Sequence, residues 1–235
     1  MLVKTLRQGT VCTVMALLLA APVNAETTEQ NDPLEGLNRA VFSFNEQVDR
    51  FALKPLAQGY RYVMPDIAER GVSNFFSNLG DIRSAVNNLL QGKINDALTS
   101  VSRVVFNSTF GLAGFIDVAT PMGLEEQHED FGQTLGSWGV GSGPYLVLPL
   151  FGPSSVRDGI GLVPDFALDP VGDVDHVPTR NSLYGLRMIN VRANLLRAEQ
   201  IISGDKYIFI RDAYLQRREY LVNDGEVQVK YDNDF

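Results

Sequence analysis

The chain reads as an all-α, single-domain protein, and three observations carry that reading. After Asp32, apolar residues recur at about 100° per residue in one segment after another, the period of a helix with one buried face. Helix punctuation brackets these segments: Asp32-Pro33 before the first, Gly80 and Gly92 after later ones, Asp205 before the last. Of 235 residues, the 210 that come after Ala25 suffice for one core, with no internal repeat or low-complexity linker to divide them.

The amino terminus reads as a targeting segment. Lys4 and Arg7 precede a short apolar run from Val11 to Ala21, and Val23-Asn24-Ala25 is a small-x-small cleavage site before Glu26. Residues 1–25 are therefore expected to be a cleaved signal peptide. The run is shorter than the ~20 apolar residues that span a bilayer, and no second long apolar run occurs. Cys12, the only cysteine, would leave with that segment, so neither disulfide nor thiol chemistry is expected. The chain carries 20 Lys and Arg against 28 Asp and Glu, a net charge of −8. Without Lys4 and Arg7 the balance is 18 against 28, or −10. Such a chain is a poor nucleic-acid binder and a poor electrostatic binder of anionic lipid surfaces. Residues 26–31 form a polar lead-in.

The first helix opens at an acidic cap, with Pro33 at its first position and Glu35 at its third. Leu34, Leu37, Ala40, Val41, Phe44, Val48, Phe51 and Ala52 fall on one stripe, which core packing would explain. Phe42 and Leu53 lie off it, among Asn38, Asn45 and Asp49. They read either as scattered surface apolar residues or as a second contact face for lipid or a partner. Lys54-Pro55 is expected to end this helix. Asp66 to Leu79 is the next, with Ala68, Val72, Phe75, Phe76 and Leu79 at helical spacing and Gly80 as its stop. A short helix from Asp81 to Leu90 comes next, then one from Asn95 to Phe110. Gly111 to Ala119 is apolar but split by glycine, so a buried turn or short helix is expected. Glu125, Glu126, Glu129 and Asp130 surround His128 in an acidic opening turn, a solvated helix start rather than a metal site, since one histidine without cysteine is weak for transition metals.

Phe131 to Gly161 dominates the chain. Glycine and proline recur too often for a helix or long strand, yet Leu135, Trp138, Val140, Tyr145, Leu146, Val147, Leu148, Leu150 and Phe151 fill the gaps. A long Gly/Pro-rich apolar loop is expected, buried against protein, lipid or both. Familiar catalytic and nucleotide motifs do not fit. A nucleophile elbow needs serine at its centre, where Gly141 stands. No Gly-Lys-Ser/Thr is present for a P-loop, and Pro144 spoils a dinucleotide turn. The alternating Gly139, Gly141 and Gly143 give backbone freedom, while Pro144 and Pro149 stiffen the apolar segment just after them. That pattern suggests a hinge and a rigid apolar flap, with Trp138, Tyr145 and Leu148 among its contact residues.

Beyond it, Ser154 or Ser155 can cap a short helix to Gly161. Pro164 to Pro178 is turn-rich and acidic, and Asp173-x-Asp175 lacks the glycine and distal glutamate of a calcium loop. Arg180 to Ile202 reads as a long helix with Arg187, Arg192 and Arg197 available outside. Asp205 caps the last helix, which runs to Asn223 and Gly225, and residues 226–235 read as a disordered tail.

Many of these motifs, in one order, resemble the MlaA/VacJ family. They are Asp32-Pro-Leu-Glu-Gly-Leu-Asn-Arg39 with Phe42-Ser-Phe-Asn45, Ser73-Asn-Phe75, Asn78-Leu79, Leu90-Gln-Gly92 and Gly114-Phe-Ile-Asp-Val-Ala119. Phe131-Gly-Gln-Thr-Leu-Gly136, Gly139-Val-Gly-Ser-Gly-Pro-Tyr145, Leu148-Pro149, Gly152-Pro-Ser154, Arg157-Asp158 and Arg211-Asp-Ala-Tyr214 complete the set. The resemblance covers Asp32 to about Gly225, the expected helical domain. It implies a ring-like multi-helix body in the outer membrane, facing the periplasm. It also implies an amphipathic channel that returns misplaced phospholipid from the outer leaflet. The partners it implies are phospholipid, a trimeric porin and a soluble periplasmic lipid-binding protein, MlaC. Members commonly carry a lipid-modified cysteine at the end of the apolar run, whereas Cys12 lies before most of that run. No cofactor is implied, and no nucleotide motif is present, so passage would be passive.

Catalysis finds little support in the residues. His128 and His176 are the two candidate neutral-pH bases, and neither sits near a nucleophile motif. The classes left open are a non-enzymatic lipid transporter, an envelope scaffold that binds porins or lipid, and a secreted lipid-modifying hydrolase.

Overall fold

Asn38 shows how this body is put together. It lies on the first helix, is 1% exposed, and its amide grips the backbone of a strand more than a hundred residues away. A computed structural model describes residues 32–202 and 204–226. The expected signal peptide, the lead-in and most of the tail lie outside the described residues. Helix α1 (Glu35–Val48) runs through a π-helical turn (Asp49–Leu53) into α2 (Lys54–Val63). Pro55 therefore does not end the helix. It occupies the second position of α2, and the wider turn before it absorbs the missing N–H and the ring. Helix α3 (Asp66–Leu90) passes straight through Gly80, where a stop was expected. Glycine inside a helix costs only about 1 kcal/mol, which packing along 25 residues outweighs.

Helix α4 (Ile94–Thr109) returns along α3. The Gly111–Ala119 segment is a turn, with Leu112 and Ala113 at positive φ, and Leu112, Phe115 and Ile116 exposed rather than buried. The 131–161 stretch is not an irregular loop. It comprises α5 (Phe131–Ser137), an exposed turn, and an antiparallel hairpin of β1 (Tyr145–Leu148) and β2 (Gly152–Ser155), with Tyr145 opposite Ser155 and Leu148 opposite Gly152. Ser155 then caps α6 (Val156–Ala167), its hydroxyl accepting from the Asp158 N–H at 3.1 Å, and the helix runs past Gly161 to Ala167. Helices α7 (Val177–Leu195) and α8 (Lys206–Val222) complete the unit, and Asp205 caps α8 as expected.

The all-α expectation holds, with one two-stranded ribbon added. Packing runs in a closed circuit: α1 on the hairpin, the hairpin on α8, α8 on α5, α5 on α3, α3 on α7, α7 on α2. Ion pairs reinforce the closure. Arg192 holds Asp49 at 2.6 Å and Glu199 at 2.9 Å, Lys54 meets Glu199 at 3.2 Å, and Lys206 meets Glu46 at 2.8 Å.

What fills this circuit is polar. Among the described residues, 18 polar or charged residues are buried against 10 apolar ones, while 32 large apolar residues are exposed. The stripe of α3 packs inward, with Val72 and Phe76 buried, but those of α1 and α4 face outward. Leu37, Phe44 and Phe51 of α1 are 60, 52 and 73% exposed, and Ile94, Leu98, Val101 and Val105 of α4 form another outward stripe. Phe42, expected outside, is half-buried with its ring 5.6 Å from Tyr207, and Leu53 is half-buried in the π turn. The inversion has a simple cause. The polar face of α1 carries Asn38 and Asn45, whose amides satisfy strand backbone and must look inward.

Candidate functional site

Buried polar side chains need partners, and α3 supplies a ladder of them: Asn78, Asp81, Ser84, Asn87 and Asn88. Arg103 of α4, 2% exposed, donates to Asp81 at 3.0 Å, to Thr120 at 2.9 Å and to the Leu124 carbonyl at 2.7 Å. Burial pushes the Asp81 carboxyl up to about 7, against the pull of Arg103.

On the side of α3 facing α6 and α7 the ladder opens into a cavity of about 420 Å³. Arg83, Glu126, Asp165, Asp169, Arg187 and Asn190 give its walls their charge and polarity. Asn190 exchanges hydrogen bonds with Ser73 and accepts from the Tyr60 hydroxyl at 3.2 Å, tying α7 to α3 and α2. Arg187 is held by Asp169 in a two-point pair at 2.6 and 3.0 Å and lies 5.0 Å over the Phe76 ring. Asp165 accepts from the Phe131 N–H at 3.1 Å and from Asn87 at 3.4 Å, and burial pushes its carboxyl up to about 6. Arg83 makes no ion pair among the described residues, and its buried Nε has no acceptor.

A second polar cluster locks α5, α6 and α8 together. Arg218 donates to Asp130 at 2.5 and 2.9 Å and to Asp158 at 2.9 Å, Arg157 donates to Asp158 at 3.0 Å, and the Tyr214 hydroxyl also donates to Asp158. Burial works to raise Asp130 and Asp158, but Arg218 and, for Asp158, Tyr214 outweigh it and hold both below the usual carboxylate range. Glycines of the 131–161 stretch let the backbones close up here. A Cβ on Gly161 would sit 2.6 Å from the Gly132 nitrogen, and one on Gly136 would sit 2.8 Å from Val222.

The residues of the expected flap gather at the hairpin and the turn before it and do not line the cavity, Leu53 lies in the π turn, and His128 is on the cavity wall. Tyr145 is buried beside Tyr207 and Tyr214, with ring centroids 6.2 and 5.9 Å away. Trp138 is half exposed and donates to the Leu90 carbonyl at 3.2 Å. Gly139 and Gly143 adopt positive φ of 87° and 66°, whereas Gly141 lies in open space without one. Pro144 and Pro149 are exposed and Leu148 is half-buried. Arg187 and Arg192, expected outside, are drawn inward by carboxylates. Sequence reasoning missed Arg83 and Asp165. The signal for Arg83 was polar residues at helical spacing on α3, Asp165 stood only in the acidic stretch from Pro164, and no spacing could link the two.

Comparison with known proteins bears on the whole body. A family model described as MlaA lipoprotein matches residues 30–221. The intermembrane phospholipid transport system lipoprotein MlaA of Shigella flexneri is 37% identical over 90% of this chain and 87% of its own length. Its Escherichia coli K12 counterpart is 36% identical over the same shares. A solved structure, from work on the structural basis for maintenance of bacterial outer membrane lipid asymmetry, superposes with a TM-score of 0.72. It is 36% identical and covers 83% of this chain and 100% of that one. The lipoprotein description stands against the position of Cys12, which lies before most of the apolar run and outside the described residues.

Proposed function

This chain belongs to the MlaA lipoprotein family and so to phospholipid transport at the outer membrane, and on that premise we propose that it removes mislocalised phospholipid from the outer leaflet. One observation supports this reading above the rest: the polar interior and apolar exterior of the helical circuit. In water such a distribution would be unstable, because burying a polar group is costly and exposing apolar surface gains nothing. Against lipid the same distribution is favourable, since the outward stripes meet acyl chains. A lipid headgroup then has a polar way through while its chains stay among apolar groups. No described helix is long and apolar enough to cross a membrane.

The hairpin is the element we assign to gating. Trp138, Gly139, Gly141, Gly143 and Pro144 form the exposed turn before it, and Tyr145, Leu148 and Pro149 belong to its first strand and tip. Membrane contact falls to the outward stripe of Leu37, Phe44 and Phe51. A trimeric porin would hold the body in place, and the periplasmic carrier MlaC would accept the lipid. The experiment is clearance in a deletion strain. The wild-type chain should restore outer-leaflet phospholipid to its low level, and purified protein in liposomes should pass labelled lipid to MlaC. Porin association without clearance in either assay would make the protein a scaffold and overturn the proposal.

A further inference from the structure

We propose that the cavity between α3, α6 and α7 is a subsite for a zwitterionic phosphodiester headgroup, with Arg83 taking the phosphate and Glu126 a primary ammonium. The inference rests on the transport reading and names the part of the lipid that the passage recognises. Its first support is the accounting of charge. The walls carry Arg83 and Arg187 against Glu126, Asp165 and Asp169. Arg187 and Asp169 neutralise one another in a two-point pair through the terminal nitrogens of Arg187, whose Nε, like that of Arg83, has no acceptor. Asp165 is taken up by the Phe131 N–H and Asn87. That leaves Arg83, which acts on Asp165 through its charge without an ion pair, and Glu126 to meet a ligand. A guanidinium whose buried Nε has no acceptor matches the two free oxygens of a phosphodiester, which it can bind at two points.

Glu126 is held by the Ser77 hydroxyl and lies 3.6 Å from the His128 ring. Ser77, which holds Glu126, precedes Arg83 by six residues, about 9 Å along α3, and all three line the cavity, a spacing that one headgroup can bridge. With two cations against three carboxylates, the walls disfavour a purely anionic ligand and suit a zwitterion. A primary ammonium fits better than a quaternary one. The quaternary group needs an open aromatic face, and the Phe76 ring is already covered by Arg187. A cavity of about 420 Å³ is in the ordinary range for a small ligand.

The test is calorimetric titration of the detergent-solubilised full chain with glycerophosphoethanolamine, glycerophosphocholine, glycerophosphoglycerol and inorganic phosphate. Glycerophosphoethanolamine should bind tightest. Arg83→Gln should weaken it by about tenfold or more, with partial recovery in Arg83→Lys, and Glu126→Gln should erase the preference over glycerophosphoglycerol. Thermal melts establish that each variant is folded. Inorganic phosphate binding as tightly as the ethanolamine ester would reduce the site to an anion hole and overturn the headgroup assignment. Undiminished binding in both Gln variants, in a protein that still clears lipid, would sink the subsite and leave transport standing. Failure of the wild type to clear lipid would sink the transport reading, whatever the cavity binds.

Discussion

The amides of Asn38 and Asn45, two turns apart on α1, each donate to and accept from the β1 chain: Asn38 at the Tyr145 carbonyl and Val147 N–H, Asn45 at the Leu148 carbonyl and Leu150 N–H. Together they replace the neighbouring strand that the edge of a two-stranded ribbon lacks. Asn38→Ala strands two buried backbone groups and should cost about 2–3 kcal/mol in denaturant unfolding. The two phenylalanines of α1 separate fold from membrane. Phe44→Asp should leave the melting temperature in detergent nearly unchanged and weaken membrane seating. Phe42→Asp places a charge against Tyr207 and should destabilise the fold by several kcal/mol. Equal losses in both would contradict the inverted packing. Acidity reads the buried carboxylates. Asp165 and Asp81 rise from an ordinary 3.8 to about 6 and about 7, so between pH 4 and 7 the folded state keeps protons the unfolded chain has released. Stability therefore falls as pH rises through that window, and Asp165→Asn should flatten the part between pH 4 and 6. Asp130 and Asp158, held low, act in the opposite sense and withdraw their contribution below about pH 4.

At the level of elements, helix positions were legible wherever a side chain marks an end. The Asp205 cap of α8 and the Ser155 cap of α6 are examples. The direction of each face was not legible. Periodicity tells that Leu37, Phe44 and Phe51 share a face, but only the surrounding solvent tells whether that face is in or out. Two short strands were hidden by the density of glycine and proline, because β1 is four residues long and its partner contains Pro153. The cavity was illegible for another reason: Arg83, Glu126, Asp165 and Arg187 sit on four separate segments and meet only through packing. The turn between α5 and the hairpin allows a direct test. Gly139→Val must hold a branched side chain at a φ of 87° and should cost about 1–2 kcal/mol or more. Gly141→Val meets nothing within 4 Å and should leave the melting temperature unchanged. Slowed lipid clearance in a stable Gly141→Val protein would identify the turn as a hinge, and full clearance would identify it as a tether.

For the molecule as a whole, the closed circuit does what a hydrophobic centre does elsewhere: each element has a partner on either side, and ion pairs such as Arg192 with Asp49 complete the last contact. Affiliation to a lipid-handling family was legible because its motifs serve packing. Gly132, Gly136 and Gly161 permit the close approach of α5 to its neighbours, and Asp130, Asp158 and Arg218 fasten it there. The polar interior carries a further consequence, for heat capacity. Ordinary domains gain about 12–15 cal/mol/K per residue on unfolding, because apolar groups newly in contact with water outweigh polar ones, which contribute with opposite sign. Here unfolding hydrates chiefly amides, carboxylates and guanidinia, while the outer apolar groups keep their contact with detergent. Calorimetry over a range of melting temperatures should give a per-residue value well below the ordinary one. The curve of stability against temperature should be broad and shallow, so that the protein resists cooling as well as it resists warmth.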